Sequence, residues 1–170
     1  MLRSPATRDA IACAGLWSAL AFTLNLGWEI GHVGLYTLWK EADGLRIAWS
    51  VFHCTVGDVL IALAMFALAA IVLWRADWPA SRPWTGGLIV VIAATAFTAW
   101  SEWYNVYRAG AWGYAPSMPL IFGIGLTPLL QWLILPPVMV LAYRKLWPAI
   151  VGWQKPRSPF EVNNLTRSKK

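Results

Sequence analysis

The sequence predicts an all-α protein in which a single domain forms a bundle of four membrane-spanning helices. Of its 170 residues, 58% are hydrophobic and only 13% are charged, whereas about 25% charged residues is usual in a soluble domain. Four long apolar segments account for this composition: residues 11–39, 47–74, 84–107 and 118–143. A helix of about 20 apolar residues crosses a bilayer, and lipid accepts only helices or closed barrels. These segments show no alternating strand pattern, so we expect helices.

Short connections separate the four predicted helices. Residues 40–46 join the first two, and residues 75–83 join the second to the third and contain prolines that cannot continue a helix. Residues 108–117, rich in glycine and proline, lead to the fourth helix. The first segment is too long for the apolar region of a signal peptide, so it is expected to remain as a helix. Residues 151–170 form a basic tail after this domain of residues 1–150.

Basic residues are distributed unequally between the two sides of the predicted bundle. The N-terminal side, named side A, carries 11 of the Lys and Arg residues, and the opposite side B carries 3. Because cytoplasmic loops are enriched in Lys and Arg, both termini are predicted to be cytoplasmic. A bacterial cytoplasmic (inner) membrane fits this arrangement. The net charge of +6 follows from the same asymmetry, and the basic tail is interpreted as solvated beside anionic lipid. Nucleic acid is not an expected partner.

Five ionisable side chains lie inside the apolar segments. They are Glu29, His32, His53, Asp58 and Glu102. Such a charge near the bilayer centre costs about 2.5–3.5 kcal/mol on insertion scales, so it is rarely kept without a partner or a function. Alternating helix directions bring all five toward side B. We therefore expect one buried polar site there, with Glu29, His32 and Asp58 as the acid–base residues.

Further polar residues follow helical spacing toward the same site. Asn25, Glu29, His32 and Tyr36 are separated by four, three and four positions, which places them on one stripe of a helix. The supporting polar residues predicted from such spacing and depth are Asn25, His53, Glu102, Asn105, Arg108 and Gln131. Interhelical hydrogen bonding without chemistry is the alternative interpretation of this set.

The chain is rich in tryptophan, with 13 in total. Seven lie at segment ends, where aromatic belts meet the bilayer surface. The deeper ones are Trp28, Trp100, Trp103 and Trp132. Packing between helices explains such residues, and an aromatic wall around a flat or cationic apolar ligand is the functional interpretation.

Metal chemistry is an open alternative. The spacing Glu29-x-x-His32 occurs in di-iron bundles, but the second pair which that pattern requires is absent from the sequence. A zinc site formed by His32, His53, Glu29 and Asp58, or a haem between the two histidines, remains chemically reasonable. No cofactor is expected, because neither signal is specific.

Three stretches of the sequence resemble the emopamil-binding protein family of sterol isomerases and sigma-2-like proteins. The stretches are residues 25–36, residues 53–58 and the run from Gln131 to Lys145. That family has a helical membrane bundle with a cavity inside the membrane, and its first helix carries His and Glu in the reverse order. The resemblance implies that Glu29, His32 and Asp58 bind or protonate an apolar ligand. A separate bacterial multi-pass membrane family fits these features equally well.

The leading functional hypothesis is a membrane-embedded site that binds a lipid-like apolar small molecule. Acid–base isomerisation of that ligand is the reaction which the residues favour. The alternatives are a proton- or ion-coupled transporter, a haem- or metal-binding membrane protein and a structural membrane subunit. Transporters usually contain internal repeats, and the sequence contains none. Membrane lipid is an expected partner, and the oligomeric state is left open.

Overall fold

A computed structural model describes residues 5–154 of the chain, with side chains from residue 10 to residue 150. It confirms the predicted all-α bundle of four helices that are long and apolar enough to cross a membrane. The long helices are α1 (Pro5–His32), α2 (Gly44–Leu73), α3 (Pro83–Trp103) and α4 (Leu126–Gln154).

Short elements connect these helices. On side B, a 3-10 turn and a helical turn follow α1, a π-helix extends α3, and a two-stranded hairpin precedes α4. On side A, one helical turn lies between α2 and α3. Their bounds are Val33–Leu35, Leu38–Glu41, Tyr104–Ala109, Leu120–Ile121 (β1) with Ile124–Gly125 (β2), and Trp78–Ser81.

Local chemistry sets the helix ends. Asp43 precedes α2, and its side chain accepts a hydrogen bond from the backbone N–H of Arg46 at 2.8 Å, which satisfies one of the free donors of the first turn. Trp74 ends α2 in the left-handed conformation, with φ of 53°. Pro83 opens α3 at a position where its missing N–H costs nothing.

Three helix boundaries differ clearly from the sequence prediction. The first helix ends at His32 rather than at residue 39, and a 3-10 turn and a separate helical turn follow it. The fourth helix begins at Leu126 rather than at residue 118. Phe122 and Gly123 both have positive φ, 51° and 81°, and form the two-residue turn of the hairpin, so the apolar run before Leu126 folds back on itself. At its other end α4 continues through Gln154, and the rest of the predicted basic tail, 155–170, lies outside the described residues.

The long helices form a ring in which each packs against two neighbours. Helix α1 contacts α2 and α4, and α3 contacts the same two. Helices α2 and α4 are therefore diagonally opposite, as are α1 and α3. This order places the polar side chains of all four helices around one central space.

Aromatic side chains fill the side-A half of the bundle. Trp17, Phe66 and Trp78 are buried, and the Trp17 and Trp78 ring centroids are 5.1 Å apart in an edge-to-face arrangement. Each indole N–H donates to a backbone carbonyl of α2, Trp17 to Ala62 at 3.1 Å and Trp78 to Phe66 at 3.2 Å. The Trp78 ring lies over Gly86 of α3. This core closes the bundle on side A.

The orientation of the bundle is a prediction from the distribution of charge. We expect a reporter that is active only in the cytoplasm to work when it is fused after residue 170, and to fail when it is inserted in the loop of residues 40–46. A reporter that is active only in the periplasm should give the opposite result. A C-terminal fusion active only in the periplasm would reverse the assignment of side B.

Candidate functional site

One cavity of about 820 Å³ occupies the side-B half of the bundle. Exposed residues at the side-B ends, including Glu41, Arg46 and Ala111, also line it, so the cavity opens on that side. Its polar lining comes from all four helices and from two connections. The polar residues that the sequence predicted and that line the cavity are Glu29, His32, His53, Asp58, Glu102 and Gln131.

Glu29 and Asp58 form a carboxyl pair between α1 and α2. Both side chains line the cavity and lie close enough to interact electrostatically. A direct hydrogen bond between two carboxyl groups would require one of them to carry a proton. Nε2 of His32 lies 3.7 Å from Oε1 of Glu29, one helical turn along α1. Glu29 is 9% exposed and His32 is 7% exposed, so both are held inside the bundle.

Gln131 of α4 ties this pair to the opposite side of the bundle. Its Nε2 donates to Oδ2 of Asp58 at 2.8 Å and to Oδ1 of Asn25 at 2.7 Å. Asn25 in turn donates from Nδ2 to the backbone carbonyl of Ala21 at 2.7 Å, which fixes the orientation of its amide. Because α2 and α4 are diagonal, the Gln131–Asp58 hydrogen bond crosses the centre of the bundle. One oxygen of Asp58 is thus occupied by an oriented donor.

Glu102 forms a second polar centre with two tyrosines. The phenol of Tyr114 donates to Oε2 of Glu102 at 2.7 Å, and the phenol of Tyr36 approaches the same oxygen at 3.5 Å. Burial raises the pKa of both Tyr36 and Tyr114 above the ordinary tyrosine value. Both phenols therefore keep their protons at neutral pH and serve as donors to the carboxyl group.

Backbone pairing between two connections builds one rim of the cavity. The N–H of Thr37 donates to the carbonyl of Gly113 at 2.9 Å, and the N–H of Ala115 donates to the carbonyl of Leu35 at 2.9 Å. A Cβ at Gly113 would lie 3.3 Å from the Thr37 side chain, so the absence of a side chain permits this approach. Tyr36 and Tyr114 meet across the pairing, with ring centroids 5.8 Å apart.

The supporting residues predicted on α3 do not all reach the site. Glu102 lines the cavity, but Asn105 folds back and donates to the backbone carbonyl of Ser101 at 2.9 Å. This bond to the carbonyl four residues earlier occupies the amide of Asn105 at the point where the π-helix begins, at Tyr104. Arg108 is exposed, with its guanidinium 5.7 Å from the centre of the Trp103 ring.

The predicted aromatic wall is present only in part. Trp132 is 1% exposed and lines the cavity. Trp28 lies next to His32, with ring centroids 6.4 Å apart. Trp100 and Trp103 are 55% and 44% exposed and face away from the bundle, where the membrane lies. Sequence reasoning missed Tyr114, whose only signal is an aromatic residue between small residues in the connection after α3.

The geometry gives little support to a metal site. Among the described residues, no three His, Cys, Asp or Glu side chains converge closely enough to hold a metal ion. His53 lines the cavity but is exposed, and its ring stacks on Trp49 with centroids 6.2 Å apart. The arrangement that the residues do form is a set of hydrogen-bonded carboxyl groups at the wall of a cavity. It can bind a polar group and move a proton.

No family model, curated protein or solved structure matches this chain.

Proposed function

We propose that the protein binds an amphipathic, lipid-like small molecule in the side-B cavity and acts on it as an acid–base isomerase. The observation that carries the proposal is the convergence of Glu29, Asp58 and Glu102 on one cavity inside a membrane bundle. A carboxyl group inside a membrane bundle has a large free-energy cost. A function in the cavity explains why three of them are retained.

The size and lining of the cavity fit such a ligand. Its volume of about 820 Å³ lies within the range of roughly 300–1,000 Å³ that is usual for small-molecule sites. Apolar residues share the wall with the carboxyl groups, and they include Val33, Leu38, Val51, Ile61 and Trp132. An apolar body can contact these side chains while a polar group of the ligand reaches the carboxyl groups.

The carboxyl pair supplies the chemistry. If Glu29 and Asp58 hold one proton between them, they provide a donor and an acceptor on the same cavity wall. In a double-bond shift, the donor adds a proton to one carbon and the acceptor removes a proton from a carbon one bond beyond the former double bond. The composition of the ligand is unchanged and the pair ends with the same number of protons. His32, beside Glu29, is placed to exchange a proton with the pair.

A proton-coupled carrier would use the same carboxyl groups but needs access from both sides. The side-A half of the bundle is filled by Trp17, Phe66, Trp78, Met139 and Tyr143, all buried. A carrier therefore requires a second arrangement of this aromatic core, whereas an enzyme that takes its ligand from side B does not. Packing thus favours the isomerase over the carrier.

Filling the cavity tests the proposal. A Cβ at Gly57, on the cavity wall, would meet no atom within 4 Å, and the same is true of Gly15 near the side-A end of α1. We expect protein purified with a polar lipid extract to retain a small molecule of defined mass in native mass spectrometry. Gly57→Leu should lower its occupancy at least about tenfold, because the new side chain takes up binding volume.

Gly15→Leu is the matched control, since it adds the same side chain outside the cavity. It should retain the bound molecule at the occupancy of the unaltered protein. Equal occupancy in both variants, or no bound molecule in any of the three proteins, would contradict ligand binding in this cavity.

A further inference from the structure

The hairpin before α4 projects apolar side chains away from the bundle. Its turn residue Phe122 is fully exposed, and Leu120 and Ile121 of β1 are 50% and 44% exposed. Phe122 adopts φ of 51°, a left-handed conformation that is unfavourable for a residue with a large side chain. Gly123, which follows it, takes φ of 81° without such a cost. The backbone thus holds a large apolar side chain in an outward position against its local preference.

The composition around the hairpin is not that of a loop in water. No Asp, Glu, Lys, Arg or His occurs anywhere from residue 109 to residue 143. Loops between elements of water-soluble surfaces are rich in polar turn residues, and contiguous exposed apolar patches mark binding or membrane contact. The absence of charge continues directly from the hairpin into α4.

Two hydrogen bonds fix the height of the hairpin relative to the membrane helices. Its base is closed by the N–H of Leu126, the first residue of α4, which donates to the carbonyl of Pro119 at 2.8 Å. Its turn is held by the phenol of Tyr107, which donates to the carbonyl of Gly123 at 2.6 Å. Tyr107 lies in the last turns of the apolar span of residues 83–109. The hairpin therefore lies level with the side-B ends of α3 and α4.

An aromatic belt accompanies the hairpin at this level. Trp100, Trp103, Tyr104 and Tyr107 of α3 and its π-helix extension are all exposed. Tryptophan and tyrosine concentrate where headgroups meet acyl chains. The hairpin tip and these rings thus belong to the same boundary layer.

We propose that Leu120, Ile121 and Phe122 insert into the boundary between headgroups and acyl chains of the side-B leaflet and bind lipid there. The two strands have unpaired outer edges, and unpaired backbone groups are not tolerated in hydrocarbon, so the strands stay at headgroup depth while the side chains reach inward. Gly125 at the base of the hairpin lies against the ring of Tyr114, which donates to Glu102. This inference does not depend on the proposed function.

The depth of a fluorophore at the tip tests the inference. The label is NBD attached through Phe122→Cys in a Cys13→Ser, Cys54→Ser background, reconstituted in phosphatidylcholine vesicles and checked for folding by thermal unfolding. Lys40→Cys, an exposed and charged side-B position, is the matched control. We expect iodide in water to quench the label at position 122 at least about fivefold less than at position 40, because the side chain at position 122 lies at the boundary between headgroups and acyl chains. Phosphatidylcholine with a nitroxide on an upper acyl carbon should quench the label at position 122 more strongly.

Two outcomes would overturn the inference. Iodide quenching equal at the two positions would place the tip in water. Protection at position 122 from both iodide and the nitroxide lipid would mean that protein covers the tip, as in contact with a second copy of the chain. Leu120→Cys, labelled in the same way, provides a second position and should behave like Phe122→Cys.

Discussion

Glu29→Gln and Asp58→Asn are each expected to lower the turnover of a bound ligand by about 10²–10⁴-fold, the usual contribution of general acid–base catalysis. An amide group cannot give up and take back a proton as a carboxyl group does, so each change removes one member of the donor–acceptor pair. The measurement is turnover of the ligand that native mass spectrometry identifies in the cavity. The loss should appear in kcat. Asp77→Asn is the matched control, because Asp77 is exposed on side A, outside the cavity, and this variant should keep full activity.

The same amide variants should fold nearly as well as the unaltered protein. In Asp58→Asn the side-chain oxygen can still accept from Gln131, now 2.8 Å from Oδ2. Thermal unfolding in detergent is the measurement. Asp58→Leu should be markedly less stable, because Gln131 then loses an acceptor inside the bundle, and a buried unpaired group costs about 1–3 kcal/mol.

These measurements separate chemistry from hydrogen bonding alone. If the carboxyl groups only join the helices, the amide variants should retain full turnover, which would overturn the acid–base assignment. Unfolded amide variants would also contradict it, because they would show that a charged and paired carboxylate is needed for folding.

Gly86→Ala is expected to be among the most destabilising small changes in the chain. A Cβ at this position would lie only 2.0 Å from Cε3 of Trp78 and 2.5 Å from its Cδ2. The ring cannot yield easily, because it packs on Trp17 and its N–H is bonded to the carbonyl of Phe66. Overpacking of this kind costs about 1–3 kcal/mol and more where the neighbour is rigid. The measurement is the midpoint of thermal or denaturant unfolding.

Two controls show whether the effect of Gly86→Ala comes from the Trp78 ring. Gly15→Ala, where the Cβ meets no atom within 4 Å, should leave the midpoint unchanged or raise it slightly through helix propensity. Trp78→Leu should itself destabilise the bundle, but adding Gly86→Ala to it should cost much less than in the unaltered protein, since the clashing ring is gone. Additive effects of the two changes would assign the cost of Gly86→Ala to another cause.

The helices were predictable from the sequence because length and hydropathy alone define a membrane span. The face that each helix turns toward the bundle interior was predictable only where that face is polar. Asn25, Glu29 and His32 identify the inner face of α1 correctly. Trp100 and Trp103 could not be assigned in this way, because lipid and protein interior are both apolar and no amphipathic stripe distinguishes them.

The remaining differences arise where the local backbone departs from a regular helix. The run from Met118 to Gly125 is apolar enough to be counted in a membrane span, but it contains Pro119, Gly123 and Gly125, and it turns back at Phe122–Gly123 as a hairpin. Tyr114 could not be assigned to Glu102, because their contact depends on pairing between two connections that are distant in sequence. Such contacts leave no periodic signal.

The π-helix of residues 104–109 makes the length of this segment as important as its composition. A π turn contains one more residue than an α turn, and one residue corresponds to about 100° of rotation around an α-helix of 3.6 residues per turn. Removing a single residue here would permit a regular α-helix but swing Tyr107 away from the carbonyl of Gly123, which it now meets at 2.6 Å. The extra residue therefore rotates Tyr107 toward the hairpin, and the direction in which Glu102 faces, before the π-helix, does not change.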